Sequence, residues 1–193
     1  MSTQPLKLVW PATEYLSGYV HALRQGWSPD NLRQEAAGEE LARIEQNADR
    51  FLAEQVDRAA KGPLIILPDG NTAPRLPGYW QWMWDGEFCG TIGFRWQPGS
   101  TDLPPYCLGH IGYAVVPWKR GRGYATRALR LLLPQTKAEG LPFVVLTTEA
   151  DNIASQRVIE TNGGELIERI SNSAEHGGAE RLRFRIMLTK VAT

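Results

Sequence analysis

The order of helix-like and strand-like stretches predicts an α/β or α+β domain built on a central sheet. Three observations carry this. Strand patterns precede, separate and follow the helical ones, and no internal repeat is visible. A turn signal, Asp85-Gly86, joins two aromatic-rich strand patterns into a hairpin. Apolar residues make up 42% of the 193 residues, so a core can form without disulfides or metals.

Residues 6–10 alternate and read as a first strand. From Pro11 to Gln25, Leu16, Tyr19, Val20 and Leu23 have the spacing of an amphipathic helix, broken by Trp27-Ser28-Pro29-Asp30. A second helix is expected from about Gly38 to Lys61, with Leu41, Ile44, Ala48, Phe51, Leu52, Gln55 and Val56 on one face. The Pro/Gly-rich stretch 62–78 holds a short apolar run, Leu64–Leu67, read as a buried strand or an irregular crossing. Tyr79–Trp84 and Phe88–Trp96 form the hairpin. A loop expected to be mobile, Gln97–Pro105, leads into a strand from Tyr106 to Val116. A helix from Gly121 to about Lys137 follows, and Pro134 is expected to kink or shorten it. Phe143–Thr148 reads as a buried strand and Asn152–Thr161 as a helix stopped by Gly163-Gly164. Glu165–Ile170 and Arg181–Leu188 close the sheet around a polar, Gly-containing loop.

Charge narrows the function. Lysine plus arginine and aspartate plus glutamate number 21 each, so no global field attracts nucleic acid or an anionic membrane. Cys89 and Cys107 form no CxxC pair and, with three histidines, make no zinc set; both read as small core residues of a reduced compartment. No signal peptide is visible, and no apolar run approaches the roughly 20 residues of a membrane span. A cytoplasmic protein is expected.

The informative segment is Val115-Val116-Pro117-Trp118-Lys119-Arg120-Gly121-Arg122-Gly123-Tyr124-Ala125-Thr126. A strand ends, a basic loop with two glycines follows, and a helix begins at once. Glycine lets backbone approach a ligand closely. The unbonded N–H groups of a first helical turn, with the helix dipole, favour an anion such as phosphate. Lys119, Arg120 and Arg122 add positive charge. The plain alternative is a strand-to-helix turn with solvated basic residues. No GxxxxGK[ST] string is present, and Gly121-x-Gly123-x-x-Thr126 lacks the third glycine of a dinucleotide fingerprint.

Arg120-x-x-Gly123-x-Ala125 resembles the R/Q-x-x-G-x-G/A signature of the GNAT superfamily of N-acetyltransferases. Tyr113–Pro117 looks like the end of that family's fourth strand. Asn152 through Gly163-Gly164, with Gly163 eleven residues after Asn152, looks like its second CoA-contacting helix. The resemblance covers roughly residues 76–190, with its specific motifs in 110–164. It implies a central twisted, mostly antiparallel sheet flanked by helices. It implies one domain over 1–193: a helical acceptor-side part, 1–62, and an acetyl-CoA-binding core, 76–190. It further implies transfer of an acetyl group from acetyl-CoA to a primary amine by direct attack in a ternary complex, without a metal. The acceptor, a small molecule or a peptide, is not readable. Neither is oligomeric state, and a homodimer stays open.

The resemblance assigns the CoA contacts to Val115, Val116, Arg120, Gly121, Arg122, Gly123, Tyr124, Ala125, Thr126, Asn152 and Ser155. At Val115 and Val116 the expectation concerns free backbone groups, while Asn152 caps its helix, contacts CoA, or does both. Many family members carry a tyrosine acid seven residues after that Asn, where this chain has Ile159, and Gly164 replaces the usual Phe or Tyr. Protonation of the leaving thiolate then falls to Ser155, to Tyr124 or to water. Candidate bases are His110, which shares strand parity with Gly112 and Ala114, Glu149, and less favourably Glu87. Tyr79, Trp80, Trp82, Trp84 and Trp96 read mainly as core, with an aromatic lining of the acceptor groove as the alternative. Ile159 motivates a second hypothesis, a non-catalytic acyl-CoA-binding or sensor module. A third is a nucleotide-binding protein of another fold.

Overall fold

A computed structural model describes residues 4–31, 33–67, 70–171 and 180–188. The polar loop expected before the last strand lies almost wholly outside them. The elements run β1 (Lys7–Val9), α1 (Thr13–Arg24), α2 (Ala36–Gln46), α3 (Ala48–Glu54), β2 (Val56–Asp57), β3 (Ile65–Ile66) and β4 (Thr72–Ala73). Then come β5 (Gly78–Trp84), β6 (Phe88–Arg95), β7 (Ile111–Val115), α4 (Tyr124–Ala138), β8 (Phe143–Glu149), α5 (Ile153–Thr161), β9 (Gly164–Ile170) and β10 (Arg181–Met187).

Two antiparallel sheets carry the fold. One has the order β1-β5-β6-β7 with β2 on β5, the other β8-β10-β9; β3 and β4 form a small hairpin. The expected central sheet is thus split between β7 and β8. The register Trp80↔Gly93↔Gly112 and Trp82↔Thr91↔Ala114 sends alternate residues to opposite faces. On one face Trp82 and Ala114 pack with Tyr19, Phe51 and Phe88 beneath α1–α3, and the Tyr19 ring stacks on Trp82 with centroids 4.6 Å apart. On the other, Met83, Ile92, Phe94 and Ile111 pack with Leu129 and Leu132 of α4. Each such buried side chain contributes about 1.5–3 kcal/mol relative to exposure.

The departures from the expected elements have local causes. The long second helix breaks at Asn47, whose extended backbone and side-chain oxygen, accepting from the Arg50 N–H at 2.8 Å, cap α3. Beyond Glu54 the chain turns extended, and Val56–Asp57 pairs with β5. Pro134 does not shorten α4, which continues to Ala138. The strand expected from Tyr106 begins only at Ile111, because residues 106–110 turn to meet β8. Both cysteines are buried and free, and burial pushes the Cys89 thiol up to about 12.

Candidate active site

The split between the sheets is the candidate site. β7 and β8 share no ladder. They meet at His110, whose N–H donates to the Val145 carbonyl at 2.7 Å. On the β6 side, Val116 N–H donates to the Cys89 carbonyl (3.0 Å) and Arg95 N–H to the His110 carbonyl (2.9 Å). Antiparallel alternation therefore turns the backbone groups of Ile111, Tyr113 and Val115 toward the split. Side chains already take two of these: Asn31 Nδ2 donates to the Tyr113 carbonyl (3.1 Å) and Arg120 Nε to the Val115 carbonyl (3.2 Å). Val115 keeps an outward N–H. Val116 does not fit the expectation of a free backbone, since its N–H serves β6 and its carbonyl accepts from the Lys119 N–H.

A cavity of about 1230 Å³ opens from the split toward α2 and α3. Glu149, Asn152, Ser155 and Ile159 line it, as do Thr91, Arg95 and Gly112; His110 and the Val115–Thr126 segment do not. Asn152 caps α5 by accepting from the Ser155 N–H at 3.1 Å, and its Nδ2 has no partner among the described residues. Ser155 Oγ is likewise unpartnered there, while the Ser155 carbonyl accepts from the Tyr113 hydroxyl at 3.4 Å. Burial pushes the Tyr113 hydroxyl up to about 12. Ile159 is buried at 1% exposure, and Gly164 packs directly against it.

His110 takes the structural placement. It is 1% exposed, and its Nδ1 accepts from the Val145 N–H at 3.0 Å, which fixes the proton on Nε2. Nε2 is buried with no partner among the described residues. Burial, joined by the nearby Arg95 charge, pushes the imidazole down to about 4. One nitrogen has its lone pair engaged and the other carries the proton, so the ring offers no basic site.

Lys119 corrects another expectation. Instead of reaching for phosphate it is buried, 2.7 Å from Asp85 and 3.1 Å from Glu87. The other Asp85 oxygen accepts a short hydrogen bond from the Tyr124 hydroxyl. Burial alone would push the Asp85 carboxyl up and the Lys119 ammonium down. Their mutual hydrogen bonds, with those of Tyr124 and Glu87, outweigh burial and shift both the other way. The β5–β6 turn thus anchors the loop before α4 and removes the Tyr124 hydroxyl as a free acid. Arg120 and Arg122 remain exposed, and Arg127 donates to the Arg122 carbonyl at 3.0 Å.

A family model described as an acetyltransferase (GNAT) domain matches residues 23–165. The chain belongs to the GNAT acetyltransferase family. No curated protein matches it in sequence. Among solved structures it is similar to the microcin C7 self-immunity acetyltransferase MccE, crystallised with acetyl-CoA and AMP. That pair is 14% identical with a TM-score of 0.59, over 96% of this chain and 93% of that one. It is similar to the Salmonella typhimurium acetyltransferase that modifies the N-terminal serine of ribosomal protein L7/L12 (16%, TM-score 0.58, 96% of each chain). It is also similar to a GNAT-family acetyltransferase from Bacillus anthracis (14%, TM-score 0.59, 97% of each). At such identities the likeness bears on the fold alone.

The loop of this GNAT chain fits the diphosphate of an acyl-CoA. Gly121 and Gly123 have φ of 72° and 74°, a left-handed backbone suited to glycine, and open space lies where a side chain would project. The first helical bond of α4 runs from Arg127 N–H to the Gly123 carbonyl. The N–H groups of Tyr124, Ala125 and Thr126 therefore have no intrahelical acceptor, and no side chain caps Gly123. Thr91, Arg95 and Asn31 escaped the sequence reading. The period-2 parity of the hairpin already put Arg95 on the face of Thr91 and Gly93, but only the register with β7 places Gly112 beside it. Among the described residues no cluster of His, Cys, Asp or Glu suits a metal ion, and no helix is long and apolar enough to cross a membrane.

Proposed function

We propose that the chain transfers the acetyl group of acetyl-CoA to a primary amine held in the cavity, by direct attack in a ternary complex. The observation that carries this reading is the convergence of Glu149, Asn152 and Ser155 on one cavity beside an open β7 edge. Acetyl-CoA supplies an activated acyl group on a good leaving thiolate. The free N–H groups at the start of α4, with Arg120 and Arg122, bind its diphosphate. The outward N–H of Val115 stabilises negative charge developing on the thioester oxygen; such a donor is worth about 3–4 kcal/mol of barrier. Glu149 accepts the proton of the incoming amine, directly or through water, and Ser155 or water protonates the departing sulfur.

The test is thiol release from acetyl-CoA with a panel of amines, comparing the protein with Glu149→Gln. The substitution is expected to lower kcat by roughly 10²–10⁴-fold while acetyl-CoA still binds. Full activity in Glu149→Gln removes Glu149 from the mechanism. Buried Ile159 in the tyrosine position favours one other reading, an acyl-CoA-binding module. Tight acetyl-CoA binding without thiol release from any amine supports it.

A further inference from the structure

The sheet beneath the cavity carries two facing glycines, of which Gly112 lines the cavity itself. Gly93 and Gly112 are register partners on β6 and β7. A Cβ on Gly93 would lie 2.6 Å from the Trp80 ring, so the indole lies against bare backbone there. A Cβ on Gly112 would lie 3.3 Å from Arg95 Nη2, so the guanidinium extends over the second glycine. Trp80, Arg95 and Thr91 share this face by register, and all three line the cavity. Thr91 is 2% exposed, and its hydroxyl has no hydrogen-bond partner among the described residues.

The charges around this cavity are unevenly satisfied. On the α2–α3 wall, Arg33 pairs with Glu35 and Glu39, and Arg43 and Arg50 both pair with Glu54. Asp57 is held by the Lys61 and Gly62 N–H groups, and Glu40 by the Tyr19 hydroxyl. Arg95 is half-buried and makes no ion pair or side-chain hydrogen bond with a described residue. With no counter-charge among the described residues, the Arg95 guanidinium is available to a ligand, and its planar fork matches an oxyanion. On the same face lie the Trp80 indole, over Gly93, and, further along β6, the unsatisfied Thr91 hydroxyl.

We infer that the acceptor is a small primary amine that also carries an oxyanion, a carboxylate or a phosphate. Arg95 holds that group over Gly112, with the Trp80 ring and the Thr91 hydroxyl against the rest of the molecule. This rests on the acetyltransferase reading above, with the amine end directed to Glu149. Arg95 is the specificity residue: it selects the acceptor and takes no part in proton transfer.

The experiment uses matched acceptor pairs: phenylalanine against phenylalaninamide, and phosphoethanolamine against ethanolamine. Both thiol release and the ligand-induced rise in Tm are read, for the protein and for Arg95→Gln and Arg95→Lys. The anionic member of at least one pair is expected to give at least tenfold higher kcat/KM and the larger Tm rise. The preferred pair identifies carboxylate or phosphate. Arg95→Gln is expected to bring the ratio within a pair close to one, and Arg95→Lys to restore part of it. Equal use of both members of each pair, or a ratio unchanged in Arg95→Gln, overturns the proposal. The Tm arm does not need turnover. An Arg95-dependent rise without thiol release supports the anion site and counts against the acetyltransferase reading. Thiol release without anion preference does the reverse.

Discussion

Replacing Lys119 with methionine asks whether this cation serves the ligand or the fold. Methionine keeps most of the aliphatic stem and removes the ammonium, which sits 2.7 Å from Asp85 with only 6% of its side chain exposed. Asp85, itself 4% exposed, keeps the Tyr124 hydroxyl and the Glu87 N–H at 3.2 Å, but loses its counter-charge. Breaking a buried ion pair by removing one partner costs about 3–5 kcal/mol, and the retained hydrogen bonds place this case near about 3 kcal/mol. In a domain of this size that is a fall in Tm of about 6–12 °C. Urea denaturation followed by tryptophan fluorescence reads the loss. Adding Asp85→Leu to Lys119→Met is expected to recover much of it, because the double variant buries no unpaired charge. CoA affinity, measured well below the melting transition, is expected to change less than stability. A Lys119→Met protein as stable as the parent but with weakened CoA binding would refute the reasoning and return Lys119 to the phosphate site.

Two further outcomes follow from the same geometry. His110 is held near pKa 4 in the folded chain against about 6.5 unfolded, so the unfolded state binds the extra proton between these values. Its stabilising contribution is complete above about pH 6.5 and is lost as pH falls toward 4, by at most about 3 kcal/mol; His110→Gln is expected to flatten stability over that window, and an unchanged slope would count against the burial argument. At Gly123, with φ of 74° and open space around it, valine is expected to cost about 1–2 kcal/mol of backbone strain and to cut acetyl-CoA affinity by a larger factor, measured by calorimetry. Unaltered affinity in a folded Gly123→Val protein would mean that the diphosphate sits elsewhere.

The sequence alone determined what depends on neighbours along the chain. The hairpin at Asp85-Gly86, the helix periodicity of α1 and α4, the Asn152 cap and the glycine loop before α4 are local devices, visible as spacing. Ile159 shows in the sequence as an apolar residue at the family's tyrosine position, and the structure buries it. What the sequence did not hold was the pairing of distant elements. Nothing local says that the sheet splits between β7 and β8, since both read as ordinary strands and the split comes from the absence of a shared ladder. Lys119 looked like its neighbours Arg120 and Arg122, and only the approach of the β5–β6 turn, 34 positions away in sequence, draws it into a buried pair. His110 had the parity of a groove residue, yet its ring is claimed by the Val145 backbone across the strand junction. Arg95 became a candidate anchor only when antiparallel register set Gly112 beside it. Helix periods, caps and turns are fixed by interactions within a few residues, and a sequence carries those directly. Charge pairing, backbone exposure and cavity lining depend on which surfaces meet, and only the tertiary structure decides that.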